Sequence, residues 1–173
     1  TLTEWKKVSE AMKIISDLPI FIDDNPNLNL TDIRSRLRKI LTKKSNEGIV
    51  IIDYLQLMKS NLKMDNRVQE ISYITRDLKI IAKEFKIPII LLSQLSRNVE
   101  TRINKRPMLS DLRESGSIEQ DADIVIMIYR EDYYHENQSN TPITEFIIAK
   151  HRNGPVGTAR LTFDSKTTDF ENL

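Results

Sequence analysis

Gly48-Ile-Val-Ile-Ile-Asp-Tyr-Leu-Gln56 decides the architecture. Four aliphatic residues in a row, three of them isoleucine, predict a strand buried on both faces. The run stops at Asp53. A carboxylate at the carboxyl end of a parallel strand stands where open α/β sheets place their ligands. There it can hold a magnesium ion, directly or through water, beside a nucleotide phosphate. An aspartate that merely starts a turn would leave the same trace, so the neighbours must decide.

Upstream, Trp5, Val8, Met12 and Ile15 are spaced by three or four and predict an amphipathic helix over Thr3–Leu18, capped by Thr3. Pro19 ends it, and Ile20-Phe21-Ile22 reads as a short buried strand. Thr31 is the expected cap of a second helix, with Ile33, Leu37, Ile40 and Leu41 inward. Downstream, Val68, Ile71, Ile74, Leu78, Ile81 and Phe85 line the longest helix, Arg67–Phe85. Pro88 precedes Ile89-Ile90-Leu91-Leu92, a second strand expected to be buried on both faces and to end at Ser93-Gln94. A polar segment from Ser96 to Glu119 interrupts the alternation before Ile124–Ile128 returns to the sheet. Glu145–His151 and Thr158–Asp164 read as a hairpin around Asn153-Gly154-Pro155. Alternating helices and strands predict an α/β fold: a mostly parallel sheet, flanking helices and a terminal antiparallel hairpin.

Composition narrows the function. At 39% hydrophobic and 29% charged residues over a 173-residue chain, this is ordinary globular material, enough for one domain. The absence of cysteine excludes disulfides and thiolate metal sites. His135 stands in a polar loop with no partner at ligand spacing, so a zinc-type site is not expected. A net charge of +1 excludes a generally basic nucleic-acid binder but not a local basic surface. No apolar run reaches membrane-spanning length. The chain opens at Thr1 rather than Met, and the expectation is one partial domain, residues 1–173, of a longer polypeptide.

Polar groups follow several strands: Asp53, Gln94 and, on the hairpin, Lys150 and Arg152. An ATP-hydrolysing site needs a carboxylate for the metal, a polar group near the terminal phosphate and positive charge against the transition state. Singly, Gln94 reads equally as a satisfied strand-end amide and Arg152 as a solvated hairpin charge. His151, between the two cations on an extended strand, should point the other way and reads as structural.

Asp53-Tyr-Leu-Gln-Leu-Met58, Leu92-Ser-Gln-Leu-Ser-Arg97, the run from Lys105 to Asp123 and Lys150-His-Arg-Asn-Gly-Pro155 resemble the DnaB-type hexameric replicative helicases over nearly the whole chain. That resemblance implies an incomplete RecA-like motor domain using ATP and Mg2+. It implies that Asp53 is the Walker B aspartate positioning magnesium and Gln94 the sensor of the γ-phosphate. Arg152, with Lys150 beside it, would be the finger offered to the neighbouring subunit's ATP. Arg113, Glu114 and Gly116, with Arg97 beside them, would line the channel that grips single-stranded DNA. Further implications are a homohexamer moving 5′ to 3′, primase and helicase-loader partners, no membrane, and a bacterial cytoplasm or plastid stroma.

No Gly-x-x-x-x-Gly-Lys-Ser/Thr occurs; the glycines are Gly48, Gly116, Gly154 and Gly157. In the resembled family the P-loop and the glutamate that activates water lie upstream, so this segment alone is expected to be inactive. A truncated, non-catalytic DNA- or partner-binding relative, or another RecA-like ring ATPase, are the alternative readings.

Overall fold

The computed structural model describes residues 2–41, 47–112, 116–134 and 143–173. The helices are α1 (Leu2–Ser16), α2 (Leu30–Leu41), α3 (Arg67–Phe85), α4 (Asn98–Thr101) and α5 (Gly116–Asp121). The strands are β1 (Val50–Ile52), β2 (Ile89–Leu91), β3 (Ile124–Arg130), β4 (Ile143–His151), β5 (Gly157–Asp164) and β6 (Asp169–Asn172).

Helix α3 is the beam, and its sequence explains it. Asn66, in extended backbone, caps the start by accepting the Gln69 N–H at 2.9 Å, satisfying a donor the helix cannot. Ile71, Ile74, Leu78 and Ile81 are buried along one stripe, each contributing roughly 1.5–3 kcal/mol by leaving water. Lys86 closes the helix in the left-handed conformation, its N–H on the Ala82 carbonyl. Leu30, Ile33 and Leu37 of α2, Leu55, Met58, Leu112 and Ile118 complete one core with that stripe, joined by Val125 and Met127 of β3. Arg34 and Arg38 tie α2 to α3 through Glu84 at 2.8 and 2.9 Å.

Strands β1 and β2 pair in parallel, Ile52 opposite Leu91. The rest of the sheet structure is antiparallel, in the order β3-β4-β5-β6; the β4–β5 hairpin stands where expected and β6 extends it. At its tip a Cβ on Gly154 would overlap the His151 ring, so any larger residue there would have to displace that ring.

Local pattern and packing part company at several places. Strands β1 and β2 are covered on one face only: Ile51 and Ile90 are 63% and 46% exposed, because α3 covers one side and nothing described covers the other. Helix α1 forms, starting at Leu2 rather than after a Thr3 cap, but Trp5, Val8, Met12 and Ile15 are exposed. Ile20-Phe21-Ile22 is not a strand and is exposed. Asn29, not Thr31, caps α2, accepting the Asp32 N–H at 3.0 Å.

Candidate functional site

Parallel register brings the first two candidates together. With Ile52 opposite Leu91, Asp53 and Leu92 leave adjacent strands at the same end. The strands' bonding continues past them: Leu92 N–H donates to Ile52 O at 3.0 Å, and Leu55 N–H to Leu92 O at 2.9 Å. After Asp53 the chain turns through a cis Asp53–Tyr54 peptide and a 3-10 turn, Leu55–Leu57. Leu55 is completely buried and pins that turn to the core. Gln56, projecting from it, donates through Nε2 to Ser93 Oγ at 3.1 Å and Gln94 O at 3.2 Å. In return the Gln94 N–H donates to Gln56 Oε1 at 3.2 Å. Gln56 thus ties the turn that follows Asp53 to the backbone of Gln94.

A brace holds this turn from behind. Arg67, at the start of α3, donates to Gln56 O at 2.9 Å and Met58 O at 3.0 Å. Its guanidinium also bonds Glu70 at 2.5 Å, and Glu70 accepts the Ser60 N–H at 2.8 Å. Those contacts, the Ser60 N–H first and Arg67 next, hold the Glu70 carboxyl below its usual range.

Asp53 is exposed and makes no hydrogen bond or ion pair among the described residues. An acceptor-only group, fixed at its backbone and free at its tip, suits magnesium, which takes one or two carboxylates and completes its shell with water and phosphate oxygens. Gln94 is exposed too, and it lines a cavity of about 390 Å³ with Arg97, Lys105 and Tyr129, Tyr133 and Tyr134. The tyrosines pack on each other, Tyr129 against Tyr134 at 6.1 Å and Tyr133 edge-on to Tyr134 at 5.2 Å. Burial, then the bond to Glu100, pushes the Tyr134 phenol up to about 12.

Lys150 and Arg152 form a separate group. No hydrogen bond or ion pair among the described residues joins them to Asp53 or Gln94. Lys150 Nζ sits on the last carbonyls of α5, bonding Glu119 O and, at 2.8 Å, Ala122 O. Arg152 is half-exposed and donates to Gln120 O at 2.9 Å. His151 turns away from both and places Nδ1 3.2 Å from Pro155 O. Arg113 and Glu114 lie outside the described residues, as does His135; Gly116, exposed, begins α5. The segment before them is anchored: Asp111, buried, takes both guanidinium nitrogens of Arg102 at 2.9 and 2.7 Å, and its carbonyl accepts the Ser96 N–H at 2.8 Å.

Sequence reasoning did not find Gln56, Glu70 or Asp111. The signal for Gln56 was available, a lone amide within the otherwise apolar turn Leu55–Met58 and three residues after Asp53.

This arrangement of parallel strand ends, covering helices and a trailing antiparallel sheet is the RecA-like fold of the DnaB ATPase domains. The chain aligns with one solved ATPase domain at a TM-score of 0.93 and 49% identity, over 98% of this chain and 60% of that one. With a DnaB-like replicative helicase described together with its interactions with primase, the TM-score is 0.92 at 49% identity, over 98% of this chain and 42% of that one. The DnaB-like helicase C terminal domain matches residues 1–172, and the chain belongs to that family. Among curated relatives, a "Probable replicative DNA helicase" of Trieres chinensis is 59% identical over 171 residues, 96% of this chain and 38% of that protein. The replicative DNA helicase DnaB of Geobacillus stearothermophilus is 52% identical over 174 residues, 100% and 38% respectively. The chain therefore spans under two-fifths of the length of these relatives.

Proposed function

We propose that this chain is the carboxyl-terminal part of the motor of a hexameric, ATP-dependent replicative DNA helicase, which moves 5′ to 3′ on single-stranded DNA and unwinds duplex at the fork. The supporting observation is that Asp53 and Gln94 leave the same end of β1 and β2, with Gln56, three residues after Asp53, bonded to the Gln94 backbone. A metal-side carboxylate and a phosphate-sensing amide in one bonded turn can respond to the same triphosphate. Asp53 would hold the magnesium, which when bound neutralises phosphate charge. Lys150 and Arg152, a group apart, suit a finger that serves the next subunit's nucleotide. Such fingers are worth roughly 10³ to 10⁵ in rate.

The free edges of β2 and β3, unpaired among the described residues, and the bare face of Ile51 and Ile90 suit a motor domain completed by upstream polypeptide. The phosphate-cradling loop would come from there, and this segment alone would not turn over ATP. Primase and a helicase loader as partners, and residence in a bacterial cytoplasm or plastid stroma, belong to the same reading. No helix among the described residues is long and apolar enough to cross a membrane.

Mixed rings of the full-length parent protein test this. Asp53→Asn and Arg152→Ala should each abolish hydrolysis, while an equal mixture of the two should recover about a quarter of wild-type turnover, because random neighbours reunite an intact aspartate with an intact finger at that frequency. No recovery on mixing would place the finger in cis and overturn the assignment. ATP turnover by the isolated 173-residue segment would overturn the claim that it is incomplete.

A further inference from the structure

Helix α5 connects two places that the proposed function treats separately. It begins at Gly116, itself one of the proposed DNA-gripping residues, and ends under Lys150 and Arg152. One face of α5 is held by a polar stripe on α3. Ser72 Oγ donates to Ser117 Oγ at 3.0 Å, and Thr75 Oγ1 to Asp121 Oδ2 at 2.7 Å. One turn further along α3, Lys79 Nζ bonds the Asp123 carboxylate. Ile118 is buried between these contacts.

Asp123 is where the stripe meets Arg152. Its carbonyl accepts the Arg152 N–H at 2.8 Å, and its Oδ1 lies 3.7 Å from Arg152 Nε. The side chain of Arg152 also reaches back to Gln120 O at 2.9 Å. The side chain of Arg152 is thus referenced to α5 at Gln120, and its backbone to Asp123, two residues past the end of that helix. Both charges are about half exposed, at 52% and 49%. Ion pairs that open to water add little to stability, so a stabilising role is a weak account of this carboxylate.

We infer that Asp123 is a positioning residue: anchored by Lys79, it aims the Arg152 guanidinium and makes that aim follow α5, whose first residue belongs to the proposed DNA grip. A shift of α5 on strand binding is then transmitted to the finger through Gln120 O and through Asp123, whose carbonyl carries the β3–β4 ladder on to the Arg152 N–H. Positional errors of about 1 Å at a transition-state contact cost on the order of a hundredfold in rate, so a short link of this kind is sufficient for control. The inference rests on Arg152 being the finger and on residues 113–116 lining the DNA channel.

The test uses the full-length parent ring. Asp123→Asn keeps the shape and removes the charge; it should lower kcat for ATP about tenfold with KM within about twofold, as expected when a charge-assisted contact aligns a transition-state group. Stimulation of hydrolysis by single-stranded DNA should fall to near onefold while strand affinity is unchanged. Asp123→Glu, which keeps the charge, should restore most of both. Should Asp123→Asn fail to assemble, Lys79→Met removes the other end of the same anchor and should also blunt DNA stimulation. If Arg152→Ala is dead but Asp123→Asn shows wild-type kcat and stimulation, the positioning role is overturned and the finger stands. If Arg152→Ala turns over ATP normally, the finger reading itself is wrong. A rise in KM that matches the fall in kcat/KM would mean that Asp123 supports nucleotide binding rather than the aim of the finger, and would overturn the positioning role.

Discussion

Gln56 and Gln94 clasp each other across the ends of β1 and β2, each donating to the other at 3.2 Å. Under the proposed sensor role, the flexible side chain of Gln94 needs a fixed backbone for its amide tip to report a phosphate. The clasp fixes it, and ties it to the turn that carries Asp53.

Removing the clasp should separate binding from turnover. Gln56→Ala leaves the buried Leu55 in place, so the fold should survive. Of the three neutral side-chain hydrogen bonds lost, the two to Gln94, at about 1 kcal/mol each, should lower kcat roughly 10- to 30-fold in the full-length ring with little change in nucleotide affinity. Steady-state hydrolysis and a fluorescent-nucleotide titration measure the two quantities. An equal fall in affinity would place Gln56 in nucleotide binding instead.

Acid should loosen the same turn from behind. Glu70 carries the Ser60 N–H and Arg67, and these hold its carboxyl below the ordinary 4.5. A depressed carboxylate adds stability that is complete above the unfolded value and is lost as pH falls through the lower folded one. Glu70→Gln should therefore melt about 2–4 °C below wild type at pH 7, the shift that about 1 kcal/mol produces at this size. That gap should close below pH 4.5. Calorimetry in steps from pH 7 downward measures it, and a gap that does not depend on pH removes the charge from the account.

Burial on one face separates two isoleucines of similar sequence context. Ile74 is completely buried and Ile51 is 63% exposed. Ile74→Ala should cost about 2–5 kcal/mol. Ile51→Ala should cost under about 1 kcal/mol in this segment, by denaturant unfolding of each variant. A cost at Ile51 that rises in the full-length protein would show its face covered there by upstream chain.

How much of this could be read in the sequence follows from the range of each interaction. Helix α3 is set by its own spacing of Ile71, Ile74, Leu78 and Ile81 and by local stops at Lys86 and Pro88, so its bounds were legible to the residue. The β4–β5 hairpin was legible for the same reason, through Asn153-Gly154-Pro155. The emptiness of the second face of β1 and β2 was not, because apolar composition says what a strand can bury and not what is present to cover it. Ile20-Phe21-Ile22 failed as a strand on the same point. At the site, Asp53 and Gln94 could be read as polar residues that end apolar runs. The role of Gln56 depends on a register between strands almost forty residues apart, and the seat of Lys150 on α5 depends on a helix that lies inside a polar stretch without apolar period.

The proposed DNA grip is best tested through salt. Arg113 falls between two anchored points, the Arg102–Asp111 pair with its 2.7 Å contact on one side and Gly116 at the head of α5 on the other. A short segment tethered at both ends can present a cation to a strand backbone without reading bases. Each phosphate neutralised on a single strand contributes about 0.7 to the slope of log affinity against log salt. Arg113→Ala in the full-length ring should weaken binding to any sequence equally and flatten that slope by about 0.7 to 1. Anisotropy of a labelled oligonucleotide across a series of potassium chloride concentrations measures it. Weaker binding at an unchanged slope would mean that Arg113 shapes the segment without touching a phosphate, and would move the cation of the channel to another residue.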